Sequence, residues 1–423
     1  MKFKKIFFIL VFFVFFSTYC YANNENNTKQ INIYSDAAIL MDSSSEMILY
    51  DKNSSERMYP ASTTKVMTAI LALENCNLND KVKVNYSALS SVPSGYSIAS
   101  LQTDEELTVY ELLQVLLVHS ANDAANVLAE HISGSISEFS NLMNAKAIEL
   151  GCTDTHFVNP SGIHNNDHYS TAKDLAIIMK YCMKNSDFRK IVSMPSCTIA
   201  ETNKSDKRTF TNTNGLIINN SSKSSSNYYY EYCIGGKTGY TSQAKNCLIS
   251  VSSKDDLELI CVILGAAQTE NGLSARYIDS KTLYNYGYEN FKISSIAKKG
   301  DVIEQIEVSN GNKDTRYLDV ILDNDILALS NVDLEKNNIT YDIKINENIS
   351  APLSSGSVVG YITYTVNGIK YEENLIASHD VEKSDFLMVI LKLILSVILL
   401  ILFYIIIKSY FKKNKRKNYK FTR

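Results

Sequence analysis

The stretch Pro60-Ala61-Ser62-Thr63-Thr64-Lys65-Val66-Met67-Thr68 decides how this chain is interpreted. Apolar residues continue from it at helical spacing to Leu73, so a helix is predicted to begin at the serine. Residues three apart on a helix are neighbours, with about 5–6 Å between their Cβ atoms. The amine of Lys65 can therefore meet the hydroxyl of Ser62. Because a serine is a weak nucleophile until a base lies beside it, this spacing favours covalent catalysis.

The Ser-x-x-Lys spacing alone is a weak signal, and two further motifs select this copy. Ser120-Ala121-Asn122 lies in a strongly apolar helical segment, and Lys237-Thr238-Gly239 precedes two predicted strands. Burial and a second cation such as Lys237 can lower the pKa of Lys65 enough for it to act as a base. Only the first copy of Ser-x-x-Lys opens an apolar helix with both motifs downstream; the copies begin at Ser62, Ser170, Ser242, Ser295 and Ser409.

Each motif also has a purely structural interpretation, which the residues leave open. Ser62 can be a helix cap with Lys65 facing solvent. Asn122 can cap a helix end, and Lys237 can be an exposed strand lysine. His168 is interpreted as structural and is not a predicted catalytic residue.

Together the three motifs resemble the penicillin-binding and serine β-lactamase superfamily. Other stretches narrow the resemblance, over about residues 37–288, to the serine-type D-alanyl-D-alanine carboxypeptidases of the type-5 class (peptidase family S11). Besides those already quoted, they are Ser120-Ala121-Asn122-Asp123-Ala124-Ala125, Thr155-His156-Phe157-Val158-Asn159-Pro160-Ser161-Gly162, His168-Tyr169-Ser170-Thr171-Ala172 and Gly236-Lys237-Thr238-Gly239-Tyr240-Thr241.

The resemblance implies an α/β (α+β) fold, with a β-lactamase/transpeptidase-like domain over 36–290 whose antiparallel sheet is flanked by helices. It also implies a role for each motif residue. Ser62 would be the acylated nucleophile, Lys65 its base and Ser120 a proton relay. Asn122 would hold the substrate amide, and Lys237 and Thr238 would bind the terminal carboxylate. Gly239 would leave room for the substrate backbone, and the N–H groups of Ser62 and Tyr240 would form the oxyanion hole.

The implied substrate is a peptidoglycan stem peptide ending in D-Ala-D-Ala, with β-lactams as inhibitors. Water accepts the acyl group, so we expect no cofactor. The alternative function is a non-catalytic receptor for β-lactams or wall peptides that is acylated without turnover. A β-lactamase is disfavoured, since this chain adds a β domain and a membrane anchor to the catalytic unit.

The two ends of the chain predict export and anchoring. Residues 1–22 combine three lysines, an apolar run and small residues before a cleavage point, which is typical of a signal peptide. An uncleaved anchor is the alternative. Residues 386–407 are apolar all round and long enough to span a bilayer. The basic tail 408–423 predicts a cytoplasmic end, so the body is expected outside, on the cell-wall side. A helix lying on the membrane surface is the alternative.

Charge and ligand residues exclude other classes of function. The whole chain has a net charge of −3, yet its two terminal segments are basic, so the body between them is strongly acidic. Nucleic-acid binding needs a basic face and is therefore not expected. No cysteine or histidine falls in zinc-type spacing, so we expect no metal site. The seven cysteines beyond Cys20 show no paired spacing and are interpreted as buried free thiols.

The hydrophobic pattern of the remaining chain predicts the elements around these motifs. In the first half they are a hairpin over 37–51, one helical segment over 107–131 and a helix over 175–183 capped by Ser170 or Thr171. A loop over 193–227, adjacent strands over 247–251 and 257–264 and a helix over 275–288 follow. The last predicted unit is a small all-β domain over 296–378 with an Asn367-Gly368 hairpin turn.

Overall fold

A central five-stranded antiparallel sheet organises the larger part of the protein. The computed structural model describes residues 31–219, 228–333 and 337–418, and the predicted signal peptide 1–22 lies outside them. The elements of this part are β1 (Ala37–Asp42), β2 (Ile48–Lys52), α1 (Lys65–Asn75), β3 (Lys81–Lys83), α2 (Tyr86–Ser90), β4 (Glu106–Thr108), α3 (Val109–Gln114), α4 (Asn122–Ser133), α5 (Ile136–Glu149), α6 (Ala172–Met183), α7 (Ser186–Val192), β5 (Ser196–Ile199), β6 (Arg208–Thr211), β7 (Cys233–Thr241), β8 (Lys245–Lys254), β9 (Leu257–Ala266) and α8 (Ala275–Asn290).

The central sheet has the strand order β2-β1-β9-β8-β7 and separates two helical layers. Alternate residues of its strands, such as Ile39 and Val262, join the main apolar core with α1, α3, α4 and α6. The opposite face receives α8. There Gly287 packs so closely that a Cβ would lie 2.5 Å from a methyl carbon of Leu259. The strand β7 is left at one edge, beside the predicted site.

The predicted fold class is confirmed, and several predicted elements match those observed. The hairpin is β1 and β2, and the two adjacent strands are β8 and β9, which pair antiparallel. The cap of α6 is Thr171, whose hydroxyl accepts the Asp174 N–H at 3.0 Å. Five of the seven described cysteines are buried, while Cys76 and Cys233 are partly exposed.

Three local predictions were wrong. The α-helix begins at Lys65, after a 3₁₀ turn over Ala61–Thr64. The apolar segment over 107–131 is not one helix, because Ser120 takes a left-handed φ of 67° after a π-helical turn over Val115–His119. Both halves bury their apolar residues, so the apolar spacing runs on across the break. The predicted loop over 193–227 contains the hairpin of β5 and β6.

A second, smaller β unit follows, with its own apolar core. Its first strand begins five residues before the predicted boundary of 296, and its last ends one residue before 378. Its strands are β10 (Phe291–Ala297), β11 (Val302–Glu307), β12 (Tyr317–Leu322), β13 (Ile326–Asn331), β14 (Ile339–Ile345), β15 (Val358–Val366) and β16 (Ile369–Ala377). The order β11-β12-β16-β15-β14 forms one sheet, and β10 pairs with β13. Asn367 and Gly368, both with positive φ, make the predicted hairpin turn.

The last helix, α9 (Phe386–Asn418), contains the predicted membrane span. Residues 388–412 are long and apolar enough to cross a bilayer, and the side chains of the most apolar stretch are not buried inside the protein. The helix continues past the predicted end at 407 into the basic tail, because nothing there breaks the helical backbone.

Candidate active site

The 3₁₀ turn over Ala61–Thr64 brings the predicted nucleophile, Ser62, into contact with its predicted base, Lys65. Side chains three apart eclipse each other in a 3₁₀ turn, and Lys65 Nζ lies 2.9 Å from Ser62 Oγ. Lys65 is fully buried. Its amine also lies 2.8 Å from Asn122 Oδ1 and 2.7 Å from the Ser161 carbonyl oxygen. Three oxygens therefore hold the amine in one place.

Burial is the main cause that brings the pKa of Lys65 well below its ordinary value, and the charge of Lys237 lowers it further. Asp123 opposes this shift. Both causes are those anticipated from the sequence. A lowered pKa increases the neutral fraction of the amine, and the neutral amine is the form that can accept a proton from a serine hydroxyl.

The break at Ser120 brings the second motif to the same place. Ser120 is held in the left-handed region between the π-helical turn and α4, and it lines the cleft described below. Asn122 begins α4. Its Nδ2 donates to the Ser97 carbonyl at 2.8 Å, so its Oδ1 faces Lys65. The amide is thus fixed in orientation at both ends.

The third motif lies on β7, against the 3₁₀ turn. At Gly239 an added Cβ would lie 3.0 Å from Ser62 N and from the Pro60 carbonyl oxygen, so any larger residue would crowd the turn. Lys237 is fully buried, and its Nζ donates to the Thr238 carbonyl at 2.8 Å. Burial, followed by the charge of Arg276, lowers the pKa of Lys237 to about 7.

An open cleft of about 620 Å³ unites the three motifs. Six of the eight predicted site residues line it; the other two, Lys65 and Lys237, are fully buried, and Lys65 contacts the lining residue Ser62. The predicted convergence of distant motifs is therefore present in the structure. The lining residues from the motifs are Ser62, Ser120, Asn122, Thr238, Gly239 and Tyr240.

Other lining residues were not found from the sequence. Arg276, at the start of α8, lines the cleft and donates to the Gly239 carbonyl at 3.2 Å. Thr213 accepts a hydrogen bond from the Thr238 hydroxyl at 2.6 Å. Neither belongs to a recognisable motif, so no local signal pointed to them. The further lining residues outside the predicted set are Ser94, Gly95, Tyr96, Ser97, His119, Thr241, Ser242 and Gln243.

The stretch over 155–162 supplies backbone to the site. The Ser161 carbonyl contacts Lys65, and Gly162, with a φ of +80°, lies against the Ala61 peptide. The resemblance contains this stretch but assigned no role to its residues. His168, interpreted as structural, lies behind the 3₁₀ turn and not among the residues that line the cleft.

Comparison with known proteins follows the same division of the chain. A family model of D-alanyl-D-alanine carboxypeptidases, peptidase family S11, matches residues 24–268. A model of the penicillin-binding protein 5 C-terminal domain matches residues 291–383. The D-alanyl-D-alanine carboxypeptidase DacF of Bacillus subtilis is 31% identical over 357 residues, which cover 83% of this chain and 87% of that protein. DacA of Haemophilus influenzae is 31% identical over 337 residues, covering 78% and 80%.

Solved structures show the same architecture. Penicillin-binding protein 5 of Haemophilus influenzae superposes with a TM-score of 0.63 at 28% identity, and the match covers 84% of this chain and 99% of that chain. PBP3 of Streptococcus pneumoniae superposes with a TM-score of 0.68 at 25% identity, over 83% of this chain and 100% of its own. The family match, the relatives and the fold agree, and the chain belongs to the serine-type D-alanyl-D-alanine carboxypeptidases of peptidase family S11.

Proposed function

We propose that this protein removes the terminal D-Ala from peptidoglycan stem peptides through an acyl-enzyme on Ser62. The observation that carries the proposal is the 2.9 Å contact between Oγ of Ser62, which lines the cleft, and the buried amine of Lys65. The neutral amine accepts the hydroxyl proton as the oxygen attacks the carbonyl carbon of the scissile bond. The negative oxygen that develops faces the N–H groups of Ser62 and Tyr240, which stabilise it.

The other cleft residues fit the two ends of such a substrate. As an edge strand, β7 offers backbone groups along which an extended peptide can lie. The terminal carboxylate then reaches Thr238 and Arg276, which line the cleft, and the charge of the buried Lys237 attracts it. Asn122 holds the substrate amide. Ser120 relays the proton from Lys65 to the departing D-Ala amine, and water then hydrolyses the ester.

The same cleft accounts for β-lactams as inhibitors. A β-lactam carries a carboxylate and a strained amide, so it engages the carboxylate-binding residues and Ser62 as the peptide does. Its opened ring stays attached after the attack, and no amine leaves to make room for water. We therefore expect a long-lived acyl-enzyme.

The domain assignment is part of the proposal. We assign 36–290 to the catalytic domain, 296–378 to the β domain, 386–407 to a membrane anchor and 408–423 to a cytoplasmic tail, after a signal peptide of 1–22. The apolar part of α9 supports the anchor. The basic residues after it support a cytoplasmic end and a catalytic body on the cell-wall side.

The test uses the full chain in detergent with a fluorescent penicillin and a pentapeptide ending in D-Ala-D-Ala. We expect label on Ser62, located by peptide mass, and release of free D-Ala. Ser62→Ala should lose both, and Ser295→Ala, which changes a serine of another Ser-x-x-Lys copy outside the cleft lining, should keep both. Labelling without D-Ala release would instead support a receptor that is acylated without turnover. Full labelling of the Ser62→Ala chain would refute the assignment of the nucleophile.

A further inference from the structure

His168 is a buried titratable residue that the proposed reaction does not use. Its side chain is only 2% exposed, and it packs edge-on against Phe157 with ring centroids 5.5 Å apart. Its Nε2 lies 2.8 Å from the Thr64 hydroxyl, and its Nδ1 lies 3.2 Å from the Val158 N–H. Both ring nitrogens therefore have a polar partner, as a buried imidazole requires.

The partners fix which ring nitrogen carries the proton. The Val158 N–H can only donate, so Nδ1 accepts and carries no proton. The Ala61 carbonyl can only accept, and it accepts a hydrogen bond from the Thr64 hydroxyl at 2.8 Å. The Thr64 oxygen is therefore left to accept from Nε2–H. One chain of hydrogen bonds runs from Val158 through His168 and Thr64 to the Ala61 carbonyl.

This series of hydrogen bonds ends at Ala61, whose backbone conformation is strained. Ala61 has a φ of +49°, in the left-handed region that a residue with a Cβ rarely takes. It directly precedes Ser62, so its peptide sets the direction of the nucleophile and of the Ser62 N–H. Strained backbone of this kind persists only where surrounding contacts hold it.

We propose that His168 is a positioning residue for the nucleophile: through the Thr64 hydroxyl it holds the Ala61 carbonyl, and hence the turn that aims Ser62 at Lys65. This inference rests on the proposed role of Ser62. His168 does not touch the substrate in this scheme. Its contribution is to keep the attacking oxygen and one oxyanion donor in the geometry that the reaction needs.

The electrostatic surroundings keep this arrangement intact at working pH. Burial is the main cause that lowers the pKa of His168 to about 3, and electrostatic repulsion from His156, Lys65 and His164 lowers it further. The ring is therefore neutral near pH 7, with Nε2–H as donor. A charged ring would place a proton on Nδ1, where the Val158 N–H already points.

The test is a double-mutant cycle on the rate of acylation by fluorescent penicillin, with the full chain in detergent. We expect Thr64→Val and His168→Leu each to slow acylation by about 10- to 100-fold, as small misplacements of reacting groups do. The double variant should be no slower than the slower single variant, because both changes cut the same chain. Thr64→Ser and His168→Gln, which keep the hydroxyl and a donor, should recover most of the rate.

Tyr284→Phe is the matched control for loss of a buried hydrogen bond. Tyr284 is fully buried, its hydroxyl donates to Ser250 Oγ at 2.8 Å, and it lies on α8 outside the cleft lining. The Tyr284→Phe substitution should lower the melting temperature and leave acylation at the wild-type rate. If His168→Leu does not fold, His168→Asn, whose shorter side chain cannot join Val158 to Thr64, takes its place in the cycle.

Two results would overturn the inference alone: wild-type acylation in the folded single variants, or losses that multiply in the double variant. If instead the wild-type chain is not labelled at Ser62, the proposed function fails, and the inference fails with it.

Discussion

Replacing Gly162 with alanine tests whether the close contact of Gly162 with the 3₁₀ turn over Ala61–Thr64 sets the position of Ser62, the proposed nucleophile. Gly162 has a φ of +80°, and a Cβ there would lie 1.8 Å from the Ala61 carbonyl oxygen and 2.9 Å from Ser62 N. Gly151 provides a matched control, since its φ is +79° and a Cβ there would meet nothing within 4 Å. The two substitutions share the same backbone penalty and differ only in what the new methyl group contacts.

The magnitude follows from these distances. A left-handed alanine costs roughly 1–2 kcal/mol at either position. At Gly162 the Ala61 oxygen must also move by about 1.2 Å to reach 3.0 Å, the shortest separation that real Cβ contacts show. That oxygen belongs to the peptide before Ser62. A shift of about 1 Å at reacting groups can lower a rate about 100-fold.

The assay is the acylation rate with fluorescent penicillin, measured beside the thermal melting of each variant. We expect Gly151→Ala to melt a few degrees lower and to acylate at the wild-type rate. We expect Gly162→Ala to remain folded and to acylate about 100-fold more slowly. Equal acylation by the two folded variants would refute the reasoning that the close approach of Gly162 sets the position of Ser62.

Three further variants test the electrostatics and the anchor. Asn122→Asp puts a carboxylate 2.8 Å from the amine of Lys65 and raises its pKa, so the acidic limb of the acylation pH profile should move to higher pH; a shift to lower pH would contradict this. Lys237 loses its charge as pH rises through about 7, so KM for a D-Ala-D-Ala peptide should rise there. Removing the neighbouring cation with Arg276→Gln raises that pKa, so the rise in KM should move to higher pH, and an unmoved midpoint would exclude the coupling. A chain that stops after Asp385 should leave the membrane fraction and still bind penicillin; continued sedimentation with membranes would disprove anchoring by α9.

Local sequence was enough where a short stretch determines its own structure. Thr171 caps α6 because its hydroxyl satisfies a free N–H three residues on, and Asn367-Gly368 turns because both residues accept a positive φ. The contact between Ser62 and Lys65 also follows from a spacing of three. It holds although the turn is 3₁₀ and not α-helical, since both geometries place such residues together.

Two errors show what short-range pattern leaves out. The break at Ser120 is invisible in the apolar spacing, because the segments on both sides bury their apolar residues in the same core. The hairpin of β5 and β6 lies in a polar stretch, so its pairing depends on what packs beside it. Segments farther away in the chain contact both regions: the Asn122 N–H donates to the Ser97 carbonyl, and the Arg208 side chain pairs with Glu105.

What the amino-acid sequence determined by itself was the set of candidate reacting groups: a hydroxyl, two amines and a carboxamide, each in a motif whose spacing constrains its neighbours. Only the tertiary structure decided the surroundings of those groups, including the cation at Arg276, the close approach of Gly162 and the hydrogen bonds from His168. The physical reason is range. Capping and spacing act over three or four residues, whereas burial, charge coupling and steric contact depend on whichever segments the fold brings within a few ångströms.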